Sequence, residues 1–227
     1  MNEISDAVRS VTGEAGPTRL AQCEPLAVGR LRCVHEHPAR PDCLIKTVRA
    51  DVIERRWGMA APWYKRLVRT RQYTVFAREF EEYLAIQARH PGSSPPIARV
   101  VGIEETDLGI GLVVEKVRGA DGTLAPTVAA LGQAEGRIEP WLEKAFAAFL
   151  DDLLRHDVVV GDLHAWNIVH GSDSRGGPRL VLVDGFGEKN FIPRNSLSTR
   201  ANARHTRRLY ERMRRMLGNL LASGRYA

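Results

Sequence analysis

The N-terminal half of the chain consists of short apolar runs separated by turn residues. The runs occupy residues 26–28, 32–35, 43–48, 99–103 and 110–116. Gly29, a His-Pro pair and an Arg-Pro pair separate the first three, and Thr-Asp-Leu-Gly separates the last two. This pattern predicts strands joined by tight turns.

A helical repeat of apolar residues lies between these two groups of strands. Its members are Phe76, Phe80, Tyr83, Leu84 and Ile86. Their spacing predicts a helix over roughly residues 74–89 that buries one side, and His90-Pro91-Gly92 ends it. Residues 55–71 are basic and include Trp57, Trp63 and Tyr64, which we interpret as an irregular insertion leading into the helix.

The C-terminal half has longer helical patterns. Glu139-Pro140 starts a helix in which apolar residues from Leu142 to Leu153 recur at i, i+3, i+4, i+7, i+8 and i+11. A basic helix is predicted at about residues 198–221. Short strands are predicted at residues 158–160, 168–170 and 180–183, with a polar, glycine-rich turn over residues 171–179.

The order of these elements predicts an α+β protein with two lobes. Residues 119–122, Gly-Ala-Asp-Gly, are a candidate flexible joint. The expected division is a loosely attached tail at 1–22, a small β-rich N-terminal lobe at 23–118 and a helical C-terminal lobe at 119–227. Ligand sites are common between lobes arranged in this way.

Composition narrows the class of protein. Hydrophobic residues make up 44% and charged residues 26% of 227 residues, which is ordinary for a soluble domain. The chain has no uninterrupted apolar run of about 18 residues, so no transmembrane helix is predicted. The first 18 residues lack the pattern of a signal peptide, so a cytoplasmic location is expected. The net charge of +6 predicts an anionic partner, which could be nucleotide, nucleic acid or an acidic membrane surface.

The three cysteines do not indicate a disulfide framework, because their number is odd and no export signal accompanies them. Cys33, His35, His37 and Cys43 could in principle supply four zinc ligands. Their spacing fits no common zinc module, so zinc is a minor alternative.

Two short segments carry the residues that phosphoryl transfer needs. Asp162 precedes Asn167 by five residues in a predicted loop, and Asp184 ends an apolar strand and is followed by Gly-Phe-Gly. A carboxylate such as Asp162 can orient or deprotonate an attacking hydroxyl, and hard oxygen ligands such as Asn167 and Asp184 suit Mg²⁺. The alternative for each segment alone is a turn capped by Asp or Asn.

Together the two segments resemble the catalytic loop and the Asp-Phe-Gly motif of the protein-kinase superfamily, with Gly185 inserted after Asp184. The Asp162-Leu163-His164 form is similar to that of aminoglycoside and choline kinase relatives. The resemblance implies Asp162 as catalytic base and Asn167 and Asp184 as magnesium ligands. His164 then either helps to neutralise the transferred phosphoryl group or packs the loop.

The same resemblance implies roles in the N-terminal lobe. Lys46 would hold the α- and β-phosphates of ATP, and Glu79, rather than Glu82, would pair with Lys46. Glu115 and Val117 would lie where backbone groups read adenine. No full glycine-rich phosphate loop is present, because only Gly29 lies between the first two predicted strands. Phosphate contact would then come from Arg30 or Arg32, or from backbone amides.

A closer resemblance appears when the motifs are taken in order over about residues 22–215. They are Gly29-Arg30-Leu31-Arg32-Cys33, His37-Pro38, Cys43-Leu44-Ile45-Lys46, Arg78-Glu79, Glu82-Tyr83, Gly185-Phe186-Gly187-Glu188 and Phe191-Ile192-Pro193. This set resembles the PhoP regulatory network protein YrbL family. That resemblance implies a two-lobed kinase-like fold, ATP and Mg²⁺ as cofactors, and a place in a stress-response regulatory network.

Three functional hypotheses remain at this point. The first is an ATP-dependent phosphotransferase whose acceptor is undetermined. A small molecule is favoured over a protein because no Ala-Pro-Glu segment follows Asp184. The second is a catalytically weak, nucleotide-binding regulator, and the third is a basic nucleic-acid-binding protein.

The basic C-terminal helix has two interpretations. Its arginines are Arg194, Arg200, Arg204, Arg207, Arg208, Arg212, Arg214 and Arg215. Leu209, Met213 and Met216 give the helix an apolar side, which favours packing on the C-terminal lobe with a solvated basic face. The other interpretation is a docking surface for nucleic acid or an anionic substrate.

Overall fold

The computed structural model describes residues 16–58, 70–188 and 195–223. Within these ranges the strands are β1 (Ala27–Val28), β2 (Arg32–Glu36), β3 (Cys43–Val48), β4 (Val100–Thr106), β5 (Gly109–Glu115), β6 (Ile168–Asp173) and β7 (Gly176–Leu182). The helices are α1 (Ala50–Trp57), α2 (Thr74–Arg89), α3 (Val128–Glu135), α4 (Pro140–Arg155) and α5 (Thr199–Ser223), and a 3-10 turn (Arg71–Tyr73) precedes α2.

The first five strands form one antiparallel sheet in the order β1-β2-β3-β5-β4. Strand β3 is buried along its whole length, because both faces of the sheet are covered there. Leu44 and Val48 face the main core, and Cys43 and Ile45 face a smaller cluster with Leu20. A strand covered on both faces has a mostly apolar sequence, and Lys46 and Thr47 are the polar exceptions in β3.

Helix α2 has the predicted bounds and, apart from Leu84, the predicted buried stripe, because Phe80 and Tyr83 also pack against the core. The residues it buries are Phe76, Glu79, Glu82 and Ile86, whereas Leu84 is 51% exposed. The prediction that Leu84 belongs to the buried stripe is therefore wrong. Leu84 lies about 140° around the helix from Glu79, on the solvent side. Two glutamates, Glu79 and Glu82, are buried beside the apolar residues of the stripe.

Helix α1 occupies part of the region that the sequence indicated as an irregular insertion. Residues Ala50–Trp57 form a regular helix, and its Val52 is completely buried. The other two aromatic residues of the predicted insertion, Trp63 and Tyr64, lie outside the described residues.

The C-terminal part is built around α4. Its buried residues are Leu142, Phe146, Phe149 and Leu153, as the periodicity predicts. Helix α5 adds Met213, Leu217 and Leu220 to the same core. Helix α3 was not predicted, because it is short and almost uncharged and so gives little contrast between polar and apolar positions. Thr127 begins it by accepting a hydrogen bond from the Ala130 N–H.

The β6–β7 hairpin is longer than predicted. The strands extend to Asp173 and resume at Gly176, whereas the sequence indicated a turn over residues 171–179. The side chain of Asp173 is almost completely buried and pairs with Arg175 at 3.1 Å and Arg179 at 2.9 Å. These ion pairs stabilise polar residues in the hairpin, whose register shifts between Gly171 and Asp173. Residues 158–160, predicted as a strand, form only a single bridge from Val160 to Phe186.

One hydrophobic core joins the two parts of the molecule. It includes Leu44 and Val48 from the sheet as well as Phe146 and Leu153 from α4. Backbone hydrogen bonds from the Ala98 N–H to the Leu182 carbonyl and from the Leu182 N–H to the Pro96 carbonyl, both 2.9 Å, reinforce the contact. The β-rich N-terminal part and the helical C-terminal part are thus present, and they are firmly packed together.

None of the helices in the described ranges is both long enough and apolar enough to cross a membrane. The same ranges hold no group of three or more His, Cys, Asp or Glu side chains that could bind a metal ion. His37, one of the residues considered for zinc, instead pairs with Glu104 at 3.0 Å.

Candidate functional site

A lysine and a glutamate meet beneath the sheet. Lys46 on β3 and Glu79 on α2 are both buried, and Lys46 Nζ lies 3.4 Å from Glu79 Oε2. Lys46 also donates a short hydrogen bond to the backbone carbonyl of Val183, directly before Asp184. Lys46 therefore connects the central strand, helix α2 and the segment that leads to Asp184.

Arg32 is the second cation of this cluster. Val34 pairs with Lys46 across β2 and β3, so Arg32, two residues earlier, projects from the same face of the sheet as Lys46. Its Nη1 lies 2.8 Å from Glu79 Oε1, and its Nη2 forms a short ion pair with Asp184 Oδ1. The guanidinium carbon also lies 5.9 Å from the centroid of the Phe76 ring. Arg32, Lys46, Glu79 and Asp184 are called the charge cluster below.

Burial and mutual charge shift the ionisation of this cluster. Burial lowers the pKa of Lys46 from 10.5 to about 8; Glu79 opposes the shift and Arg32 adds to it. Burial by itself would raise the pKa of Glu79, but the positive charges of Lys46 and Arg32 outweigh it and hold the pKa below its usual value. Glu79 is thus a buried carboxylate kept ionised by two cations.

A glycine turn brings two further polar residues, Asp162 and Asn167, next to the Asp184 segment. Gly185 has φ +86°, and an added Cβ would overlap the Asp162 carbonyl oxygen and lie 3.2 Å from Asn167 Nδ2. The N–H groups of Gly161 and Asp162 both donate to the Gly185 carbonyl at 2.8 Å. The Val183 N–H donates to the Asn167 carbonyl at 2.8 Å. Asp162, Asn167 and the start of the Asp184 turn therefore lie side by side.

The loop that carries Asp162 and Asn167 is anchored by its alternate residues. Leu163 and Ala165 are buried in the core, whereas Asp162 is exposed and Asn167 is half-buried. The His164 carbonyl accepts a hydrogen bond of 2.9 Å from the Asn167 N–H, so the backbone of His164 closes the turn that positions Asn167. The buried Leu163 and Ala165 thereby hold Asp162 and Asn167 at the surface of the core.

The residue after this turn ties it to helix α2. Gly187 has φ +93°, and an added Cβ would lie 2.9 Å from the Arg78 backbone carbon. Phe186, between the two glycines, is buried in the main core. The extra glycine at position 185 thus gives the backbone the left-handed conformation it needs to pass Asp162 and still bury Phe186.

The three other predicted site residues do not join the charge cluster. Glu115 directs its carboxylate to Ser174 at the tip of the β6–β7 hairpin, at 2.6 Å from the Ser174 N–H. The Val117 carbonyl accepts a hydrogen bond from the Ala125 N–H at 3.0 Å. Arg30 is exposed in the turn between β1 and β2, and Arg32 occupies the buried position that was left open between the two arginines.

The donor set at the Gly185 turn fits a magnesium ion. Asp184 offers a carboxylate that is 36% exposed, and Asn167 offers an amide oxygen. Mg²⁺ prefers oxygen ligands and is usually bound through one or two protein groups together with waters and substrate phosphates. Asp184 and Asn167, as two protein ligands, match this mode of coordination.

Glu82 is a buried polar residue whose environment only the structure shows. It lies one turn along α2 from Glu79 and accepts a hydrogen bond of 2.8 Å from the Val159 N–H. Burial raises the pKa of Glu82 to about 7. Its contact ties α2 to the chain three residues before Asp162. The Arg78-Glu79 and Glu82-Tyr83 motifs marked this part of α2, and the sequence indicated Lys46 as the partner of Glu79 but no partner for Glu82.

The fold and this site define a kinase-like protein. A buried lysine on the third strand pairs with a helix glutamate, and a loop Asp and Asn face an Asp-Gly-Phe-Gly turn, which is the layout of the protein-kinase superfamily. The chain belongs to the PhoP regulatory network protein YrbL family, which matches residues 18–218.

The solved structures similar to this chain include one with a bound nucleotide analogue. This is a chain in the structure of the CAK complex from Chaetomium thermophilum bound to ATP-gamma-S, with 15% identity and a TM-score of 0.45. The alignment covers 71% of the present chain and 45% of that chain, so the present chain spans less than half of its length. No curated protein sequence matches.

Proposed function

We propose that this protein is an ATP- and Mg²⁺-dependent phosphotransferase. The observation that supports the proposal is that the charge cluster and the Asp162–Asn167 loop both contact the segment Val183–Gly185. Lys46 reaches the Val183 carbonyl from the sheet side, and Asp162 and Asn167 adjoin Gly185 from the helical side. A scaffold protein has no physical need for a buried lysine, a buried glutamate and a strained glycine turn at one point.

Each residue of the site has a role in this proposal. Lys46, held by Glu79, binds the ATP phosphates, and Asp184 and Asn167 bind Mg²⁺. A magnesium ion held by these two residues would supply positive charge that neutralises the charge developing on the phosphates. Asp162, which is exposed, orients or deprotonates the acceptor hydroxyl, and His164 follows two residues later in the same loop. Adenine recognition falls to the backbone of residues 115–117. Because the Val117 carbonyl is already bonded to Ala125, this needs other backbone groups of that segment.

The acceptor is proposed to be a small molecule. No Ala-Pro-Glu segment follows the Asp184 turn, and one helix, α5, accounts for most of the described chain beyond it. The missing Ala-Pro-Glu motif favours a small acceptor over a protein. The family's description names a regulatory network protein, which is compatible with a small phosphorylated signal.

A thermal shift experiment with ATP and Mg²⁺ tests the proposal. A ligand that binds only the folded protein raises the melting temperature by mass action. We expect a magnesium-dependent rise in the parent that is lost in Asp184→Ala and kept in Asp151→Ala, a control at an exposed position of α4. No shift in the parent at millimolar ATP would overturn the proposal.

A second candidate function, nucleic-acid binding, is favoured by the distribution of charge. Helix α5 contains seven of the chain's 33 basic residues (all Arg) and one of its 27 acidic residues. It therefore carries +6, and the rest of the chain sums to zero. The exposed arginines on it are Arg200, Arg204, Arg207, Arg208, Arg212 and Arg215, and no ion pair joins them to another described residue.

The apolar side of α5 is not available to insert into a membrane, because its Met213, Leu217 and Leu220 are buried in the core. Its arginines suit phosphate oxygens instead. Fluorescence anisotropy with a single-stranded RNA at several salt concentrations tests this candidate. Binding should weaken steeply with salt and fall in Arg204→Glu/Arg208→Glu, but not in Arg19→Glu/Arg55→Glu, which has the same change in charge. Equal losses in both variants would indicate attraction by net charge alone and overturn it.

A further inference from the structure

The turn between β1 and β2 is too short to wrap around a phosphate chain. Strand β1 has only two residues, and the Gly29 N–H donates to the Arg32 carbonyl at 2.8 Å, which closes a tight turn over residues 29–32. Phosphate loops use several successive backbone N–H groups to hold phosphates. This edge of the sheet therefore has to supply positive charge by a side chain.

Arg32 is that side chain by position and by chemistry. It starts β2 directly after the tight turn, and it projects from the same face of the sheet as Lys46. A guanidinium carries five N–H donors in a planar fork that suits both carboxylates and phosphates. Two of its nitrogens contact Glu79 and Asp184 in this structure.

The charges of the cluster explain how Arg32 becomes available. Arg32 and Lys46 balance Glu79 and Asp184, so the cluster is neutral as a whole. Asp184 is its most exposed member, at 36%, whereas the other three side chains are at most 8% exposed. A divalent cation on Asp184 weakens the hold of Asp184 on Arg32, because the metal and the guanidinium repel each other. One positive charge is then left facing the site.

We propose that Arg32 is a second phosphate-binding residue, which stays on Glu79 and moves from Asp184 to a nucleotide phosphate once Mg²⁺ occupies Asp184. Arg32 then does the work of the missing glycine-rich loop. The inference rests on the proposed function and deepens it: the site selects nucleotides by their phosphates, with ADP and ATP preferred to AMP and adenosine.

Isothermal titration calorimetry with ATP and adenosine tests the assignment. In buffer containing Mg²⁺, Arg32→Met should weaken ATP binding roughly tenfold or more, because a charge-assisted hydrogen bond is lost. Adenosine binding should change less than twofold. Arg155→Met, which removes an exposed ion pair on α4, is the matched control and should alter neither affinity.

The proposed movement of Arg32 from Asp184 to a phosphate is tested by measuring ATP binding in the absence of metal. In Asp184→Asn, Arg32 is no longer held by a carboxylate at that position. Arg32→Met should therefore weaken ATP binding in the Asp184→Asn background, in EDTA, by a similar factor. An unchanged ATP affinity in that double variant would overturn the exchange of partners.

The outcomes separate this inference from the proposed function. A parent protein that binds neither ATP nor adenosine would overturn the proposed function. A parent that binds ATP, combined with an Arg32→Met variant that loses ATP and adenosine equally, would show a structural role for Arg32 and overturn only this inference. If Arg32→Met fails to fold, Arg32→Lys replaces it. Lysine keeps the charge without the fork, so ATP should weaken by a smaller factor while adenosine stays unchanged.

Discussion

Lys46 and Glu79 form a buried ion pair between the central strand of the sheet and helix α2, with 3.4 Å between Lys46 Nζ and Glu79 Oε2. Arg32 contacts the same carboxylate at 2.8 Å, so two cations share one buried anion. Because burial opposes charge, Lys46 has a pKa of about 8, well below its ordinary value of 10.5. This relationship makes the stability of the fold depend on pH.

Replacing Lys46 by Met should remove a rise in stability at alkaline pH. Because the folded-state pKa of Lys46 is below the unfolded one, the folded protein binds fewer protons between about pH 8 and 10.5, and the free energy of unfolding rises with pH there. Urea unfolding at pH 7.5 and pH 10 should show the parent gaining up to roughly 3 kcal/mol relative to Lys46→Met. A constant difference between the two proteins at both pH values would contradict this.

Glu82 should produce the opposite trend at lower pH. Burial raises its pKa from 4.5 to about 7, so the folded protein binds more protons than the unfolded one between these values. Its contribution to stability is complete below pH 4.5 and is lost as the pH rises through 7. Glu82→Gln keeps an acceptor for the Val159 N–H but does not titrate. Between pH 5 and pH 8, denaturation curves should show the parent losing up to roughly 3 kcal/mol relative to this variant. Parallel pH profiles would be inconsistent with a buried, titrating Glu82.

Gly185→Ala should damage the site as well as the fold. An added Cβ would overlap the Asp162 carbonyl oxygen and would sit at φ +86°, so the turn must shift away from Asp162 and Asn167. Gly92 is the matched control, because it has φ +74° and nothing within 4 Å of an added Cβ. We expect Gly92→Ala to cost about 1 kcal/mol of stability and to keep the thermal shift with MgATP. Gly185→Ala should lose more stability and lose the shift, and equal behaviour of the two variants would show that the turn tolerates displacement.

Asp162→Asn should separate binding from turnover. Asp162 is exposed, so the substitution should leave the fold and MgATP binding unchanged. Basal ATP hydrolysis should fall at least about 100-fold, which is the usual effect of losing a catalytic base. Asp151→Asn, at an exposed position of α4, is the control and should retain the parent rate. A parent that binds MgATP but hydrolyses none would instead favour the nucleotide-binding regulator.

The sequence predicted most of the elements, because their patterns are local. Helices α2 and α4 and strand β3 have the predicted bounds or nearly so, since periodicity and turn residues define them within a few residues. Helix α3 was missed because it carries almost no polar contrast. The β6–β7 hairpin was predicted too short because the ion pairs of Asp173 with Arg175 and Arg179, which stabilise its polar end, cannot be seen in an apolar pattern.

The candidate site residues could also be predicted only where they lie in short local motifs. Asp162, Asn167 and Asp184 lie in short motifs with ordered spacing, so the sequence alone indicated a group of oxygen ligands at one point of the fold. It also indicated Lys46 and a glutamate of α2. Spacing along the helix favoured Glu79 over Glu82 as the partner of Lys46. The structure gives Glu79 that contact and directs Glu82 to the Val159 N–H.

By itself, the sequence determined the order of strands and helices, the family motifs and the types of residue available for chemistry, because these depend on neighbours along the chain. Only the tertiary structure decided that Arg32 rather than Arg30 enters the cluster, and that Leu84 faces solvent. It likewise decided that Glu115 holds a hairpin tip. Each of these outcomes depends on which face of an element meets another element, and therefore on contacts between residues far apart in sequence.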